Sequence, residues 1–537
     1  MRQVGTNGRP HDADGVSQPR GGVHWTAIPF HPALLAAFAV LFLFAENIAD
    51  QLVLDPLLVP LALSVIGALV MLVVAVAATR DPVRGGLLAS LLIVLFFSFG
   101  HAWIPLTALL PSRWLLVAAY VVVAVVGVAL VWRGGRWTVP LSQFANAAAV
   151  ALVLLNAFRI GSFTVGGQAA SGDDPAVAVA VSVEDDRHRP DVYFIVFDRY
   201  ANGETLDRLY GFDNGPFLQA LEERGFTVAD DSWSSYFKTA PSLLSTLSME
   251  YLDGEALREE DTDPPTMAPI HRRLHARLPV PATFKALGYE YIHIGSWWNP
   301  TARNDDADQS LTYEAHSEFG AALANTTALS LLQPPEQTDE EPEALDRPDL
   351  VRAHTLFELD RLEEAARRGG PTFVFAHLML PHPPYVFRED GSMTTAEERR
   401  TVPKRELYQD QLRWTNERIL DLVDRALDVP AAEEPVIILQ ADEGPYPARF
   451  ARDPERFDWL EDATPEEILE KHGILNAMHL PGVDPEAAGV HDRMSPVNTF
   501  RVVFNEYFGA DLPLLPDRVY LTPSYARMYD FTEFERP

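Results

Sequence analysis

Residues 192–198 read Val-Tyr-Phe-Ile-Val-Phe-Asp, an apolar run that ends directly in Asp198. A second run of this kind, at residues 436–441, ends directly in Asp442 and Glu443. Short apolar runs rich in β-branched residues are typical of strands covered on both faces, as in a parallel sheet. In open α/β sheets, ligands bind beyond the carboxyl ends of the strands. We therefore expect an α/β domain with a mostly parallel central sheet, helices on both faces, and these acids at its ligand-binding edge.

A candidate nucleophile lies between the two runs, in the turn-like segment Lys-Thr-Ala-Pro-Ser at residues 238–242. A threonine hydroxyl is a weak nucleophile at its own pKa, and coordination to a metal held by carboxylates is a standard way to activate it. Thr239 and the strand-end acids therefore predict a metal-centred site for group transfer.

Four segments, in this order along the chain, resemble motifs of the alkaline phosphatase/sulfatase superfamily. The first two are the strand that ends in Asp198 and the Thr-Ala-Pro-Ser sequence at residues 239–242. The third is His-Leu-Met-Leu-Pro-His-Pro-Pro-Tyr at residues 377–385. The fourth is Asp-Glu-Gly at residues 442–444, where the family usually has Asp-His-Gly. The resemblance covers roughly residues 190–510 and implies an alkaline-phosphatase-like fold for that region.

The resemblance also implies roles for individual residues. Thr239 is the expected nucleophile, and His382 is the expected general acid to the leaving group. The implied metal ligands are Asp198, Thr239, Asp442 and Glu443. The candidate substrate contacts are Lys238, His377, His382, Trp297 and His472. For these last residues an ordinary packing or surface role is the alternative.

Glu443 stands where the family has a metal-binding histidine, which makes the implied ligand set all oxygen. Oxygen ligands suit hard cations, so we expect a divalent metal ion, with Mn²⁺ or Mg²⁺ favoured over Ca²⁺ or Zn²⁺. The alternative is that the metal site has decayed and that the domain only binds its ligand.

The first third of the chain contains five apolar stretches, and each is close to the roughly 20 residues that a helix needs to cross a bilayer. They are residues 30–48, 56–78, 86–109, 114–132 and 139–158. We therefore predict five transmembrane helices. The arginines on one side of these stretches are Arg2, Arg9, Arg20, Arg80, Arg84, Arg133 and Arg136. By the positive-inside rule the N-terminus is cytoplasmic, and everything after Arg159 is extracytoplasmic.

These patterns predict four regions along the chain. They are a cytoplasmic tail (1–28), five transmembrane helices (29–160), an extracytoplasmic linker (161–189) and a sulfatase-like catalytic domain (190–537). The net charge of −32 argues against a nucleic-acid partner. The chain has no cysteine, so it cannot be a sulfatase that converts an active-site cysteine to formylglycine.

A threonine nucleophile on a multispanning anchor resembles the lipoteichoic-acid synthases and phosphoethanolamine transferases of the superfamily. The resemblance implies a metal-dependent phosphoester hydrolase or phospho-group transferase in a bacterial-type inner membrane. The expected partners are membrane lipid, a phospholipid head-group donor and an envelope glycan acceptor. The alternative is a catalytically decayed, sulfatase-like binding or assembly factor for envelope glycans.

Overall fold

The computed structural model describes most of the chain. The described residues are 28–48, 54–106, 109–110, 112–170, 178–181, 189–261, 265–313, 318–332, 347–368, 370–454 and 456–536. They belong to two compact units, the first made of Met1–Phe38, Leu63–Phe96 and Thr107–Leu155, the second of Ala39–Ala62, Phe97–Leu106 and Asn156–Pro537. The predicted cytoplasmic tail lies outside the described residues except for residue 28.

The strands all follow the apolar N-terminal third. They are β1 (Val192–Phe197), β2 (Phe226–Val228), β3 (Glu290–Ile294), β4 (Gln309–Leu311), β5 (Thr372–Leu378), β6 (Val436–Ala441), β7 (Asn476–His479), β8 (Val519–Leu521) and β9 (Thr532–Phe534).

The helices fall into two groups. The apolar N-terminal helices are α1 (His31–Glu46), α2 (Asp55–Thr79), α3 (Pro82–Leu106), α4 (Arg113–Arg133) and α5 (Thr138–Ala170). The later helices are α6 (Gly203–Thr205), α7 (Gly215–Glu222), α8 (Thr239–Ser248), α9 (Gly254–Glu259), α10 (Ala268–His275), α11 (Pro279–Ala286), α12 (Asn299–Ala302), α13 (Glu318–Thr326), α14 (Pro348–Ala365), α15 (Ala396–Thr401), α16 (Lys404–Ala426), α17 (Ala448–Arg452), α18 (Pro465–His472) and α19 (Thr499–Phe508).

Four of the described helices are long and apolar enough to cross a membrane, and they are α2, α3, α4 and α5. The predicted count of five spans is corrected by α1, which has only 16 residues. At 1.5 Å per residue, α1 is shorter than a hydrocarbon core of about 30 Å. Each predicted apolar stretch is nevertheless helical.

Helix α5 differs from the prediction at its C-terminal end. It continues to Ala170, so the predicted linker boundary at residue 161 falls inside a helix. The described linker residues 178–181 belong with the later domain, because the Val179 amide donates to the Thr283 hydroxyl at 2.9 Å. Val179 and Val181 also pack against one of its hydrophobic clusters.

Polar side chains connect three apolar helices in the first unit. His31 on α1 hydrogen bonds Ser90 on α3 at 2.6 Å and Ser142 on α5 at 3.1 Å. Asn146 on α5 accepts from the His31 backbone amide at 2.9 Å. Such bonds hold apolar helices together where a hydrophobic driving force between them is absent.

The later domain is built on a mixed sheet of seven strands in the order β2-β7-β6-β1-β5-β3-β4. Strand β1 pairs in parallel with β5 and β6, and β3 pairs in parallel with β5 and β4. Strand β7 runs antiparallel to both of its neighbours in this sheet, β2 and β6. This confirms the predicted α/β fold with a mostly parallel central sheet.

The sheet has a buried apolar cluster on each face, which explains why its central strands are apolar along their whole length. Val192, Phe194 and Val196 of β1 lie on one face, where α8 packs through Leu243 and Leu244. The other residues of β1 lie on the opposite face, against α16 and the end of α14. Because β1 pairs in parallel with β5 and β6, the carboxyl ends of these three strands lie together at one edge of the sheet.

Candidate metal centre and active site

Asp198, His377 and Asp442 converge because the strand register places them side by side and the alternation of side chains places them on the same face. Phe197 of β1 pairs with Ala441 of β6, so Asp198 and Asp442 are the next residues on neighbouring strands. Val196 pairs with His377 near the end of β5. Successive side chains of a strand point to opposite faces. Asp198, His377 and Asp442 therefore share the face on which α8 packs.

Their ligand atoms form a compact group, all within 4.8 Å of one another. His377 Nε2 lies 3.8 Å from Asp198 Oδ2 and 3.8 Å from Asp442 Oδ2. Three of their buried atoms have no hydrogen-bond partner among the described residues: Asp198 Oδ1, His377 Nε2 and Asp442 Oδ2. Buried polar atoms are normally satisfied. Two carboxylates and an imidazole whose atoms converge unsatisfied fit a divalent cation, which would complete their coordination.

The imidazole of His377 is oriented by a short chain of hydroxyls. Its Nδ1 lies 2.8 Å from Thr301 Oγ1, which in turn lies 2.8 Å from Ser296 Oγ. Burial, and secondarily His293, lowers the pKa of His377 to about 3, so the ring is neutral. When Nδ1 carries the proton and donates it to Thr301, Nε2 presents a lone pair toward the two aspartates.

Thr239 is the first residue of α8, and its hydroxyl interacts with the carboxyls of both Asp198 and Asp442 in the sense that lowers their pKa values. Burial, followed by the charge of Glu443, raises the pKa of Asp198 to about 7. Burial and the neighbouring Asp198 raise the pKa of Asp442 well above its usual value. The Thr239 contact opposes both shifts, and the positive end of the α8 dipole lies at the same point. A cation at this point would offset the repulsion between the neighbouring carboxylates.

Glu443 faces two cationic side chains. Its Oε2 lies 2.8 Å from Lys471 Nζ, and its Oε1 lies 3.6 Å from Arg199 Nε. Both cations also contact the Tyr446 ring, at 3.6 Å for Arg199 Cζ and 3.8 Å for Lys471 Nζ from its centroid. Burial lowers the pKa of Lys471 to about 8, although Glu443 acts in the opposite direction. The carboxylate at the family's histidine position is thus part of a buried ion-pair cluster.

Two further candidate site residues, His382 and Trp297, lie next to each other. Their rings are 5.5 Å apart, and His382 Nδ1 bonds the Pro383 carbonyl. Burial, and next the charge of Arg199, lowers the pKa of His382 well below its usual value. The neutral ring therefore needs an added negative charge nearby before it can hold a second proton.

Lys238 and His472 are held by other contacts. Lys238 Nζ lies 3.9 Å from the centroid of the Tyr525 ring. His472 Nδ1 lies 3.0 Å from the Ser234 carbonyl oxygen, and burial lowers its pKa to about 3. Neither residue is in the three-residue ligand group.

Sequence reasoning missed Arg199, Lys471 and Thr301. Arg199 follows Asp198 directly and has a left-handed backbone with φ of 61°, unusual for a residue with a side chain. Its position after a strand-end acid was the available signal. Lys471 and Thr301 carried no comparable signal, because each reaches the site from a distant element.

A family model described as Sulfatase matches residues 200–469, half of the 537-residue chain. The chain belongs to the sulfatase family. This confirms the predicted superfamily and identifies the protein as an enzyme of the class that acts on sulfate or phosphate esters. No curated protein matches the chain.

Several solved structures are similar to this sulfatase-family chain. The lipooligosaccharide phosphoethanolamine transferase A (EptA) of Neisseria meningitidis is 14% identical, with a TM-score of 0.39, and the match covers 90% of this chain and 96% of that chain. The C-terminal periplasmic domain of EcEptC from Escherichia coli is also 14% identical, with a TM-score of 0.39, covering 64% and 93%. The phosphonate monoester hydrolase of Agrobacterium radiobacter is 12% identical, with a TM-score of 0.37, covering 62% and 80%. The family assignment rests on the family model alone.

Proposed function

We propose that this protein is a membrane-anchored, metal-dependent phosphoester hydrolase or phospho-group transferase with Thr239 as its nucleophile. The observation that carries the proposal is the contact of the Thr239 hydroxyl with both Asp198 and Asp442. A hydroxyl at a helix N-terminus, beside two carboxylates with unsatisfied oxygens, is the arrangement that metal-assisted transfer at phosphorus requires.

The residues that would hold the metal are Asp198, His377, Asp442 and Thr239. A bound divalent cation would act there as a Lewis acid and stabilise negative charge on oxygen. The imidazole nitrogen of His377 changes the donor set, which is no longer all oxygen. Zn²⁺ therefore fits as well as Mn²⁺. The preference for Mn²⁺ or Mg²⁺ assumed ligands that are all oxygen, and this donor set does not support it. Glu443 remains a proposed ligand only if it gives up its contact with Lys471.

The proposed reaction divides into two displacements at phosphorus. Thr239 Oγ1 bonds to phosphorus as the bond from phosphorus to the leaving oxygen breaks, and one of the contacting carboxylates takes the hydroxyl proton. His382, whose pKa rises when the anionic group arrives, gives a proton to the leaving oxygen. Water or an acceptor hydroxyl then bonds to phosphorus and gives its proton to the neutral His382. The bond from phosphorus to Thr239 Oγ1 breaks, and the protonated carboxyl returns its proton to Oγ1, giving hydrolysis or transfer.

The proposed location follows from the charges at the helix ends. Arg80 and Arg84 lie at the α2–α3 connection, and Arg133 and Arg136 at the α4–α5 connection. The positive-inside rule places both connections in the cytoplasm. The C-terminal end of α5, and the catalytic domain after it, are then extracytoplasmic. A phospholipid head group is the proposed donor and an envelope glycan the proposed acceptor.

The test compares hydroxyl variants in the purified full-length protein. Thr239→Ala should lose turnover of bis(p-nitrophenyl) phosphate by several orders of magnitude, whereas Thr239→Ser should keep part of it. Thr246→Ala is the matched control, because Thr246 lies on the same helix and bonds only within it, to the Ser242 carbonyl. Mass spectrometry of the quenched wild type should find the phosphoryl group on Thr239.

A second candidate function is a binding or assembly factor for envelope glycans. The observation that favours it is the engagement of Glu443 by Lys471 and Arg199, at the position where the family has a metal-binding histidine. Equal turnover in wild type and Thr239→Ala would exclude Thr239 as the nucleophile and support this candidate.

A further inference from the structure

A segment of the later domain packs directly on the apolar N-terminal helices. This segment is α13 together with the 3₁₀ helix Ala328–Leu332, and we call it the juxtamembrane segment. Phe319 on α13 is buried and meets Phe44 of α1 edge to face, with ring centroids 5.3 Å apart. The cluster around Phe319 consists of Val40, Leu43, Phe44, Ala45, Leu57 and Ile160.

The backbones of α13 and α3 also approach closely. A Cβ added at Gly100 of α3 would lie 2.1 Å from the Asn325 carbonyl oxygen and 2.6 Å from Thr326 Cα. No real side chain tolerates such distances, so glycine is needed at this crossing. The contacts lie near the C-terminal ends of α1 and α3 and the start of α2, and hence at one end of these helices.

Charged side chains mark the same end. Arg303 pairs with Asp55, the first residue of α2, at 3.1 Å. Arg159 of α5 pairs with Glu46, the last residue of α1, at 2.6 Å. Ion pairs are costly in hydrocarbon and common where a helix reaches water. The juxtamembrane segment therefore lies at the level where the apolar helices leave the bilayer.

The juxtamembrane segment also has exposed apolar side chains. Leu329 is 43% exposed and Leu332 is 82% exposed. Single exposed leucines on a soluble surface need no explanation. Leu58 and Val59, near the start of α2, are exposed as well. On a candidate span such a surface is covered by lipid.

We propose that the juxtamembrane segment is an interfacial membrane segment, lying in the plane of the bilayer with Leu329 and Leu332 inserted between lipid chains. An in-plane helix of this kind buries its apolar face about 5–10 Å into the boundary of head groups and acyl chains.

The segment is also connected to the candidate site. The Glu318 carboxylate, at the start of α13, accepts from the Asn299 amide at 3.2 Å. Asn299 begins α12, which carries Thr301, the hydroxyl partner of His377. Lipid contact at the juxtamembrane segment therefore fixes the height of α12 above the bilayer and keeps the site at the membrane surface.

The test uses the absence of cysteine from the chain, which makes each introduced cysteine a unique labelling site. Leu329→Cys and Leu332→Cys are labelled with the polarity-sensitive fluorophore NBD, and the full-length protein is reconstituted in phosphatidylcholine vesicles. Both labels should emit at shorter wavelength than in water, be quenched by lipids with doxyl groups near the carbonyl end, and resist aqueous iodide.

The matched control is Leu460→Cys, because Leu460 is 44% exposed, like Leu329, but lies among acidic residues. Those residues are Asp458, Glu461 and Asp462. Its label should be quenched by iodide and not by doxyl lipid. Iodide quenching of Leu332→Cys as strong as that of Leu460→Cys would overturn the proposal. Because no activity is measured, this outcome is independent of the proposed reaction.

Discussion

At the scale of single residues, Thr301 is the side chain that fixes the chemistry of His377. Its hydroxyl oxygen lies 2.8 Å from Nδ1. When Nδ1 carries the proton and donates a hydrogen bond to this oxygen, Nε2 is left with a lone pair beside the two aspartates. Partners of this kind, one bond beyond a metal ligand, set the tautomer and the ring orientation of a ligating histidine.

Replacing Thr301 should therefore weaken metal binding without removing a ligand. We expect Thr301→Val to lower the affinity for Zn²⁺ or Mn²⁺ by about 10- to 100-fold. Thr301→Ser keeps the hydroxyl and should restore most of the affinity. Calorimetric titration of metal-stripped protein measures the change, and an unchanged dissociation constant in Thr301→Val would contradict the assignment.

Lys471 and Glu443 form the other decisive contact between residues, a fully buried ion pair. Removing one partner of a buried pair typically costs about 3–5 kcal/mol, and without Lys471 the Glu443 carboxylate keeps only the more distant Arg199, at 3.6 Å. We expect this loss of unfolding free energy for Lys471→Met in urea titrations. The double variant Lys471→Met with Glu443→Gln should lose much less, because neither charge remains.

The exposed ion pair Arg425–Glu363 is a matched comparison, with its atoms also 2.8 Å apart. Exposed pairs contribute about 0–1 kcal/mol, so Arg425→Met should change stability little. A double variant as unstable as Lys471→Met alone would mean that packing, and not charge, determines the effect.

At the scale of elements, α14 carries a second pair of buried ionisable groups, one helical turn apart. His354 Nε2 lies 3.6 Å from Glu358 Oε1 and donates to the Gly295 carbonyl at 3.0 Å. Burial raises the pKa of Glu358 well above its usual value and lowers the pKa of His354 to about 4. Both groups are therefore neutral in the folded protein over a wide pH range.

The raised pKa of Glu358 makes stability depend on pH in a defined direction. The folded state holds the proton more tightly than the unfolded state, so stability is full below the unfolded pKa and falls as pH rises toward the folded pKa. Glu358→Gln removes this loss. Its melting temperature relative to wild type should rise from pH 5 to pH 8, as followed by circular dichroism. The same difference at both pH values would contradict the assignment.

At the scale of the whole molecule, the side on which the catalytic domain lies does not depend on α1. Whether or not α1 crosses the bilayer, the two arginine-rich connections lie on one side and the end of α5 on the other. Only the position of the N-terminus changes with α1, so the correction from five predicted spans to four leaves the proposed location of the domain intact.

Reporter fusions test this topology. Alkaline phosphatase fused after residue 189 should be active, because that enzyme folds only outside the cytoplasm. The same enzyme fused after Arg136, in the α4–α5 connection, should be inactive. The reverse pattern would contradict an extracytoplasmic catalytic domain and with it the envelope function.

Several features of the fold were predictable from local sequence because local chemistry determines them. The apolar runs that become β1 and β6 are buried on both faces, so their composition alone indicates central strands, and Asp198 and Asp442 follow them directly. The apolar helices are recognisable in the same way. Their exact ends are not, because those depend on neighbouring helices, which is why α1 is too short and α5 too long for the prediction.

The sequence by itself determined the fold class, the family motifs and the acids at the sheet edge, since each of these follows from residues adjacent in the chain. Only the tertiary structure decided which partners those acids have. The register of β5 against β1 brings His377 to the aspartates, and the packing of α18 brings Lys471 to Glu443. Both contacts join residues far apart in sequence, where strand order and helix packing, rather than local composition, determine which charges meet.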